Sequence, residues 1–457
     1  MGVETAKPFS WSQQFPLYGG KFDAVMGNPP YDVIEKDRGE ASWPHDLFRE
    51  YLNKTSRLDA AKGGKLNMFR FFLVQALQLS KPSGRIGMIM PMSILADVSC
   101  KETRKSFLDG MSALEIDAFP QKDNKNHRVF YEAKLSTAIL TGPKKSDGRK
   151  KVDSKISLRV FPRNSFMDNP KYAELKRSEL SVLDPDAMPI PVCDQTAWNL
   201  AQKLARSNAV SRLGEIEGIS INRGEINQTI YRKFITSNPE HARLLKGVEV
   251  GKYRIKSHLS QGEVEWLDSK RYSKSHSVPP QVSARRIATQ RITGVDERLR
   301  IVATITEPGW FFADSTNSIL VSKSCLYSAE YILALLNSKL FQWRFKVTST
   351  NNNVGTNELN SLPVRDIHSD DTADRKSYEL IVSSVKTALR SGAVAEEASS
   401  ERSRKSAETA MMDAVGIIDD EIAKLYGLTD EEVLIVESTS IVPQAAPLSE
   451  AAWVVPE

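Results

Sequence analysis

The sequence predicts an α/β chain: a partial, doubly wound sheet domain, then an α+β region, then C-terminal helices. Three observations carry this. "KFDAVMGNPPY", "NMFRFFLVQALQLSKPSGR" and "RIGMIMPMSIL" follow one another as apolar strand, helix-period segment and apolar strand, the order of a crossover unit in a parallel sheet. From about Val160 to Ile367 the segments become short and mixed, with many turn residues. Beyond them, 376–391 and 402–425 carry helical spacing.

The elements follow in order. Phe22 to Met26 reads as a short buried strand that ends in Asn28-Pro29-Pro30-Tyr31. Phe69, Phe72, Leu73, Ala76 and Leu79 recur at helical spacing, and Pro82 and Gly84 stop that helix. Ile86 to Met90 is a second buried strand that leaves at Pro91, "ALEIDAFP" a third and "KLSTAILTG" a fourth. The polar run "PKKSDGRKKVDSK", Pro143 to Lys155, reads as an exposed boundary. The expected domains are therefore 1–155, 156–370, a helical region 371–440, and a mobile Ala/Pro-rich tail 441–457. One long helix is expected from Ser328 to Lys346, followed by the polar loop "STNNNVGTNELNSLP".

Bulk properties narrow the class. The 457 residues suggest two to three domains, and 40% hydrophobic with 26% charged residues is enough to build a core. No apolar run is long enough to cross a bilayer, and no signal-peptide pattern opens the chain. Cys100, Cys193 and Cys325 lie far apart with no CxxC pair. That argues against a disulfide framework or a zinc site and fits a cytoplasmic setting. The net charge is only +5, but it is unevenly placed. Lys270 to Arg300 holds eight Lys or Arg against two acids, and Asp419 to Glu437 holds seven acids against one Lys. Such separation fits one polyanion-facing surface, and equally two solvated loops.

The Asn-Pro-Pro-Tyr turn is where chemistry enters. Two prolines end any central strand and leave Asn28 and Tyr31 on a stiff turn. In a doubly wound sheet, sites form at the carboxyl ends of strands. Asn28 offers an amide oxygen, Pro29 a carbonyl with no competing N–H, and Tyr31 a flat face. An exocyclic amine on a planar ring fits this set. Its two N–H bonds can go to the Asn28 oxygen and the Pro29 carbonyl while the ring stacks on Tyr31. Two acceptors raise electron density on the nitrogen and make it a nucleophile without a covalent intermediate.

"FDAVMGNPPY" resembles the catalytic [DNS]PP[YFW] signature of amino-methylating DNA methyltransferases. "GGKLNMFRFFLVQALQLSKPSGRIGMIMPMSILAD" is similar to the segment that follows it in N6-adenine methyltransferases of the gamma arrangement, in which the catalytic domain precedes a target-recognition domain. "HRVFYEAKLSTAILTG" resembles their later motif, whose Phe helps hold the flipped adenine; by position that is Phe130. "EGISINRGEINQTIYRKFI", "LLKGVEVGKYRIK", "RRIATQRI" and "ILALLNSKLFQWRFK" resemble the recognition domains of combined restriction–modification enzymes. The resemblance covers about residues 20–440. It implies an S-adenosylmethionine-dependent methyltransferase sheet, double-stranded DNA as partner and adenine N6 as acceptor. Catalysis would rest on Asn28, Pro29, Pro30 and Tyr31, and base binding on Tyr31 and Phe130. S-adenosylmethionine would lie against Phe72 and Asn28, with no metal. Core packing is the commoner fate of a phenylalanine, and Phe72 and Phe130 each carry that second reading. In the basic run, Arg285, Arg286 and Arg291 are the expected DNA contacts, either bridging phosphates or reading guanine edges. Asn351 to Asn353 suits a turn better than adenine readout.

One departure shapes the expectation. The family places a Gly-rich cofactor turn after a first strand well before the signature, and only 27 residues precede Asn28 here. The chain thus reads as resembling the C-terminal part of a larger enzyme, whose N-terminal methyltransferase or nuclease segment is supplied elsewhere. Two functions stay open at this point, a DNA adenine methyltransferase and a DNA-binding specificity module without catalysis of its own. A third, methylation of RNA or protein amines, predicts no sequence-specific duplex binding.

Overall fold

The computed structural model describes residues 9–34, 43–122, 124–146, 153–207, 210–259, 262–293, 299–349, 353–367 and 371–438. The chain divides into two compact units at Trp198/Asn199.

The first unit is built on a sheet that, among the described residues, has six strands. In chain order its elements are β1 (Phe22–Gly27), α1 (Met68–Leu79), β2 (Ser80–Pro91), α2 (Lys101–Gly110), β3 (Ala113–Phe119), β4 (Thr137–Pro143), β5 (Lys155–Val160) and β6 (Lys171–Lys176). The strand order is β1-β2-β4-β3-β5-β6. β1 is parallel to β2, β4 is antiparallel to both β2 and β3, β5 is parallel to β3, and β6 is antiparallel to β5. β1, β2, β3 and β5 therefore point the same way, and their carboxyl ends share one sheet edge. Ile86, Met88 and Met90, Leu114, Ile116 and Phe119, and Ala138 and Leu140 are buried in this sheet, while Ile89 and Ile139 are partly covered and Glu115 is exposed. α1 packs on β1 and β2, and α2 packs on α1. Arg70 and Arg104 are buried under these helices. Arg104 donates to the Ile94 and Met188 carbonyls at 3.0 and 3.1 Å, and burial lowers its pKa to about 10.

Three sequence expectations change here. The boundary at 155 falls inside the sheet. Its charged run is followed by "KISLRV", whose burial alternates residue by residue, and the first unit runs on to Trp198. Phe22–Met26 is not a buried strand. β1 pairs with β2 alone among the described residues, and Met26 is 83% exposed. Phe72 is not on the buried face of α1; it is 43% exposed while Phe69, Leu73 and Ala76 are buried.

Helix α3 (Gln195–Arg206) runs across the division at Trp198/Asn199, and among the described residues the second unit holds two four-stranded sheets. The strands of these two sheets are β7 (Ile219–Arg223), β8 (Ile235–Thr236), β9 (Ala242–Leu245), β10 (Glu265–Leu267), β11 (Arg286–Gln290), β12 (Ala303–Thr306), β13 (Phe311–Phe312) and β14 (Thr316–Val321). One sheet runs β7-β14-β11-β12 and the other β8-β10-β9-β13. Gly224 lets the chain cross β13 closely, because a Cβ there would sit 2.0 Å from the Ala313 carbonyl oxygen. The helix expected over 328–346 is two, α4 (Ala329–Asn337) and α5 (Lys339–Thr348). Ser338 breaks it and caps α5, its hydroxyl accepting from the Phe341 N–H at 3.2 Å. α6 (Thr372–Glu397), α7 (Glu401–Leu425) and α8 (Asp430–Glu437) belong to this same unit rather than to a separate region. α6 and α7 form a long hairpin, and α6 packs on α4. Residues 441–457 lie outside the described residues.

Candidate active site at the carboxyl edge of the first sheet

β1 ends at Gly27, and the two prolines turn the chain out of the sheet. Pro29 is buried and anchors the turn, while Asn28 is exposed at the edge. The return path is fixed. Val33–Ile34 pairs with Leu66–Asn67, and the Met68 N–H donates to the Asp32 carbonyl at 3.0 Å. The turn is thus tied to the first residue of α1.

Tyr31 folds back over the site. Its hydroxyl lies 3.1 Å from Asn28 Oδ1 and 3.1 Å from the Ile89 carbonyl on β2, either of which can accept its proton. Burial raises its pKa to about 12, so the phenol stays neutral at ordinary pH.

Phe130 arrives from the other side, on the loop between β3 and β4. Ser136 Oγ donates to the Pro120 carbonyl at 2.6 Å and closes the base of that loop. Within it, the buried Arg128 donates to the Lys122 and Tyr131 carbonyls. The ring centroids of Phe130 and Tyr31 end 5.9 Å apart at an interplanar angle of 65°. Both rings are half-buried. The fold therefore brings Asn28, Pro29, Tyr31 and Phe130 together.

Phe72 is the exposed side chain of α1. An exposed aromatic and an exposed amide are the kinds of side chain that can meet a ligand with a planar base. Among the described residues no cluster of His, Cys, Asp or Glu could hold a metal ion, and no helix is long and apolar enough to cross a membrane. The three cysteines are free thiols.

In the second unit the basic run divides. Arg286 is only 1% exposed. It donates to both carboxylate oxygens of Glu225 at 3.1–3.2 Å, to Ser318 Oγ at 2.9 Å and to the Trp310 carbonyl at 2.6 Å. Its guanidinium also lies 3.9 Å from the Phe312 ring centroid. Such a side chain cannot reach DNA, and the expectation for Arg286 is corrected. Arg285 is half exposed and paired with Glu330 at 2.6 Å. Arg291 meets a residue that sequence reasoning left out, Arg223 at the end of β7. Arg223 donates to Asp314 Oδ2 at 2.7 Å, and Arg291 reaches the Asp314 carbonyl at 3.4 Å. Burial, then repulsion from Arg223, depresses the Arg291 pKa. Ile292 beside it is exposed and bridges to Asn353; Asn351 and Asn352 lie outside the described residues. Arg223 sits in "GISINRGEINQ", a stretch noted above for its resemblance but not for its charge.

Residues 2–125 match the Eco57I restriction-modification methylase family, and residues 216–364 match the TaqI-like C-terminal specificity domain. The type II methyltransferase M.TthHB8I of Thermus thermophilus is 25% identical over 157 residues, which span 34% of this chain and 33% of that relative. Among solved structures, the restriction-modification enzyme MmeI in complex with DNA is similar at a TM-score of 0.49 and 12% identity, over 91% of this chain and 57% of that one. The DrdV–DNA complex is similar at 0.45 and 10%, over 81% and 44%. The chain thus spans well under two thirds of the length of these proteins. A segment similar to that methylase family is followed by one similar to that specificity domain.

Proposed function

We propose that this chain transfers a methyl group from S-adenosylmethionine to adenine N6 in duplex DNA, within a restriction–modification system. The observation that carries the proposal is the convergence of Tyr31 and Phe130, far apart in sequence, beside the Asn28–Pro29 acceptors. An adenine must leave the helical stack to reach this edge. Its ring would lie against Tyr31 and Phe130. Its N6 hydrogens would bond to Asn28 Oδ1 and the Pro29 carbonyl.

Asn28 Oδ1 carries two lone pairs, so the amine can bond to it beside the Tyr31 hydroxyl or displace that hydroxyl. Displacement is cheap, because the hydroxyl already reaches the Ile89 carbonyl and keeps one full hydrogen bond there. The nitrogen lone pair, enriched by two acceptors, would be the nucleophile toward the cofactor's methyl group. When bound, S-adenosylmethionine supplies the methyl group and keeps the electrons of the broken S–C bond. The surplus N6 proton leaves to water. Asn28 and Pro29 orient the amine, Pro30 stiffens the turn, and Tyr31 acts as a neutral stacking face. Arg223 and Arg291 on the second unit would bind DNA phosphates or base edges, with Arg285 released from Glu330 as a further contact.

Two expectations follow for these residues. With a phenol pKa near 12, Tyr31 imposes no limb on the pH–rate profile between neutrality and pH 9. Tyr31→Phe, which keeps the ring, should retain transfer within about tenfold of wild type, while Tyr31→Ala loses stacking worth roughly 1–3 kcal/mol in base binding. A basic limb below pH 9 that vanishes in Tyr31→Phe would contradict the neutral role. For the second unit, Arg223→Ala and Arg291→Ala should each flatten the salt dependence of DNA affinity by about one unit of slope if they bind phosphate. An unchanged slope for both would remove them from the interface.

A second reading is favoured by the outer edge of β1. Its backbone pairs on one side only among the described residues, and Met26 stands exposed. An open apolar edge is a template for a further strand. A separate segment pairing there would complete the cofactor pocket, and the chain alone would then be a DNA-binding specificity module. Calorimetric titration with S-adenosylmethionine separates the two. Micromolar binding, followed by N6-methyladenine in digests of treated unmethylated DNA, supports transfer by this chain. No cofactor binding with DNA binding intact supports the partner-dependent form, and methylation of cytosine or of RNA alone overturns the adenine-DNA reading.

A further inference from the structure

Arg223 stands at the end of β7 on backbone that has little freedom. The Gly224 N–H donates to the Thr316 carbonyl at 2.9 Å, the Ile226 N–H to the Phe312 carbonyl at 3.0 Å and the Asp314 N–H to the Ile226 carbonyl at 2.9 Å. These bonds lock the exit of β7 to the turn between β13 and β14, and that turn carries Asp314.

The side chains then lock each other. Arg223 donates from Nε to the Asp314 carbonyl at 3.2 Å and from Nη2 to Asp314 Oδ2 at 2.7 Å. Asn227 Nδ2 donates to the same Oδ2 at 3.1 Å, while its own Oδ1 accepts from the Thr229 and Ile230 N–H groups at 3.0 Å. Asp314 is therefore held in place, and it grips one edge of the guanidinium, Nε with Nη2. The opposite edge, Nη1 with the outer hydrogen of Nη2, makes no hydrogen bond among the described residues, and half of the side chain is open to water.

An ion pair this open adds little to folding. What it does is fix the direction of a planar donor fork. A phosphate contact has no need of that. It responds to charge, and Asp314 cancels the charge of Arg223 and would itself repel a phosphate. Arg291 and Glu358 nearby add one charge of each sign and keep the balance. A guanine edge has the opposite requirements. Its O6 and N7 are neutral acceptors, and a fork in one plane must meet both at once.

Resting on the DNA-binding function proposed above, we infer that Arg223 reads a guanine in the major groove through its Nη1–Nη2 edge, and that Asp314 and Asn227 are positioning residues that aim it. A fork held on its far edge by a carboxylate gives up less freedom when it meets the base than a loose arginine does.

The test uses the full chain to select duplexes from a randomised pool. The selected duplex is then titrated by fluorescence anisotropy with each guanine replaced in turn by 7-deazaguanine, which lacks the N7 acceptor. Wild type should lose about tenfold in affinity at one guanine, the cost of breaking a bidentate pair. Arg223→Ala should be indifferent to the replacement there, within about twofold, and keep its discrimination at the other positions. Arg223→Lys keeps the charge without the fork and should be equally indifferent. Asp314→Ala should lose discrimination at that same guanine and at no other, and Asp314→Asn, which keeps an acceptor oxygen, should retain more of it. Equal weakening on every duplex in Arg223→Ala, restored by Arg223→Lys, would make Arg223 a phosphate contact and overturn the inference. A wild type that selects no sequence, or that tolerates 7-deazaguanine everywhere, overturns it as well, and all of these results leave the methyltransferase reading intact. Asp314→Ala with wild-type discrimination overturns the positioning role. Failure of wild type to bind any duplex overturns the DNA reading and this inference with it.

Discussion

Asn28→Ala should reduce methyl transfer by about 10²–10³-fold or more, with duplex affinity within about twofold of wild type. The reasoning is local. Asn28 is exposed, and its one protein hydrogen bond among those described is accepted from Tyr31, whose hydroxyl keeps the Ile89 carbonyl when the amide is gone. The turn therefore retains its shape, set by Pro29, Pro30 and the ties to α1. What disappears is one of two acceptors on the attacking amine. Asn28→Asp keeps an acceptor oxygen and should retain more activity than Asn28→Ala. The measurement is a split of kcat from KM on unmethylated DNA, with DNA binding followed separately. A loss of affinity equal to the loss of rate would make Asn28 a binding residue instead.

The legible and illegible parts of this molecule divide along physical lines. Apolar runs such as Ile86–Met90 were readable because a covered parallel strand needs no alternation. The stiff turn was readable because two prolines admit few conformations. β5 was hidden by the charged run before it, although "KISLRV" alternates residue by residue. The helix break at Ser338 carried a signal, a good N-cap residue inside an apolar segment, that continuous helical periodicity masked. The exposure of β1 had none, since "FDAVM" is as apolar as a buried strand. Long-range pairing was the least legible. Nothing local to Phe130 says that it meets Tyr31; only the resemblance placed both at one base. Nothing local to Arg286 says that it meets Glu225.

That last pairing makes the largest stability prediction. Within one run of arginines, Arg291 keeps company with Arg223 at a partly open site, while Arg286 turns into the core of β11. Arg286→Ala should destabilise the second unit by roughly 3–5 kcal/mol, because it strands the buried Glu225 carboxylate without its partner. The neighbouring Ser318 hydroxyl and the Trp310 carbonyl lose a donor as well. Arg286→Lys should recover only part of this, since an ammonium cannot bridge both Glu225 oxygens and lie flat on Phe312. Arg286→Met with Glu225→Gln removes both charges, keeps much of the packing, and should fold more stably than Arg286→Ala alone. Chemical denaturation of the four proteins, beside DNA affinity, tells the two roles apart. Arg286→Ala that folds with wild-type stability but has lost DNA affinity would return this residue to the interface. A stability loss relieved by the double change fixes Arg286 as the internal brace of the sheet that presents Arg223 and Arg291.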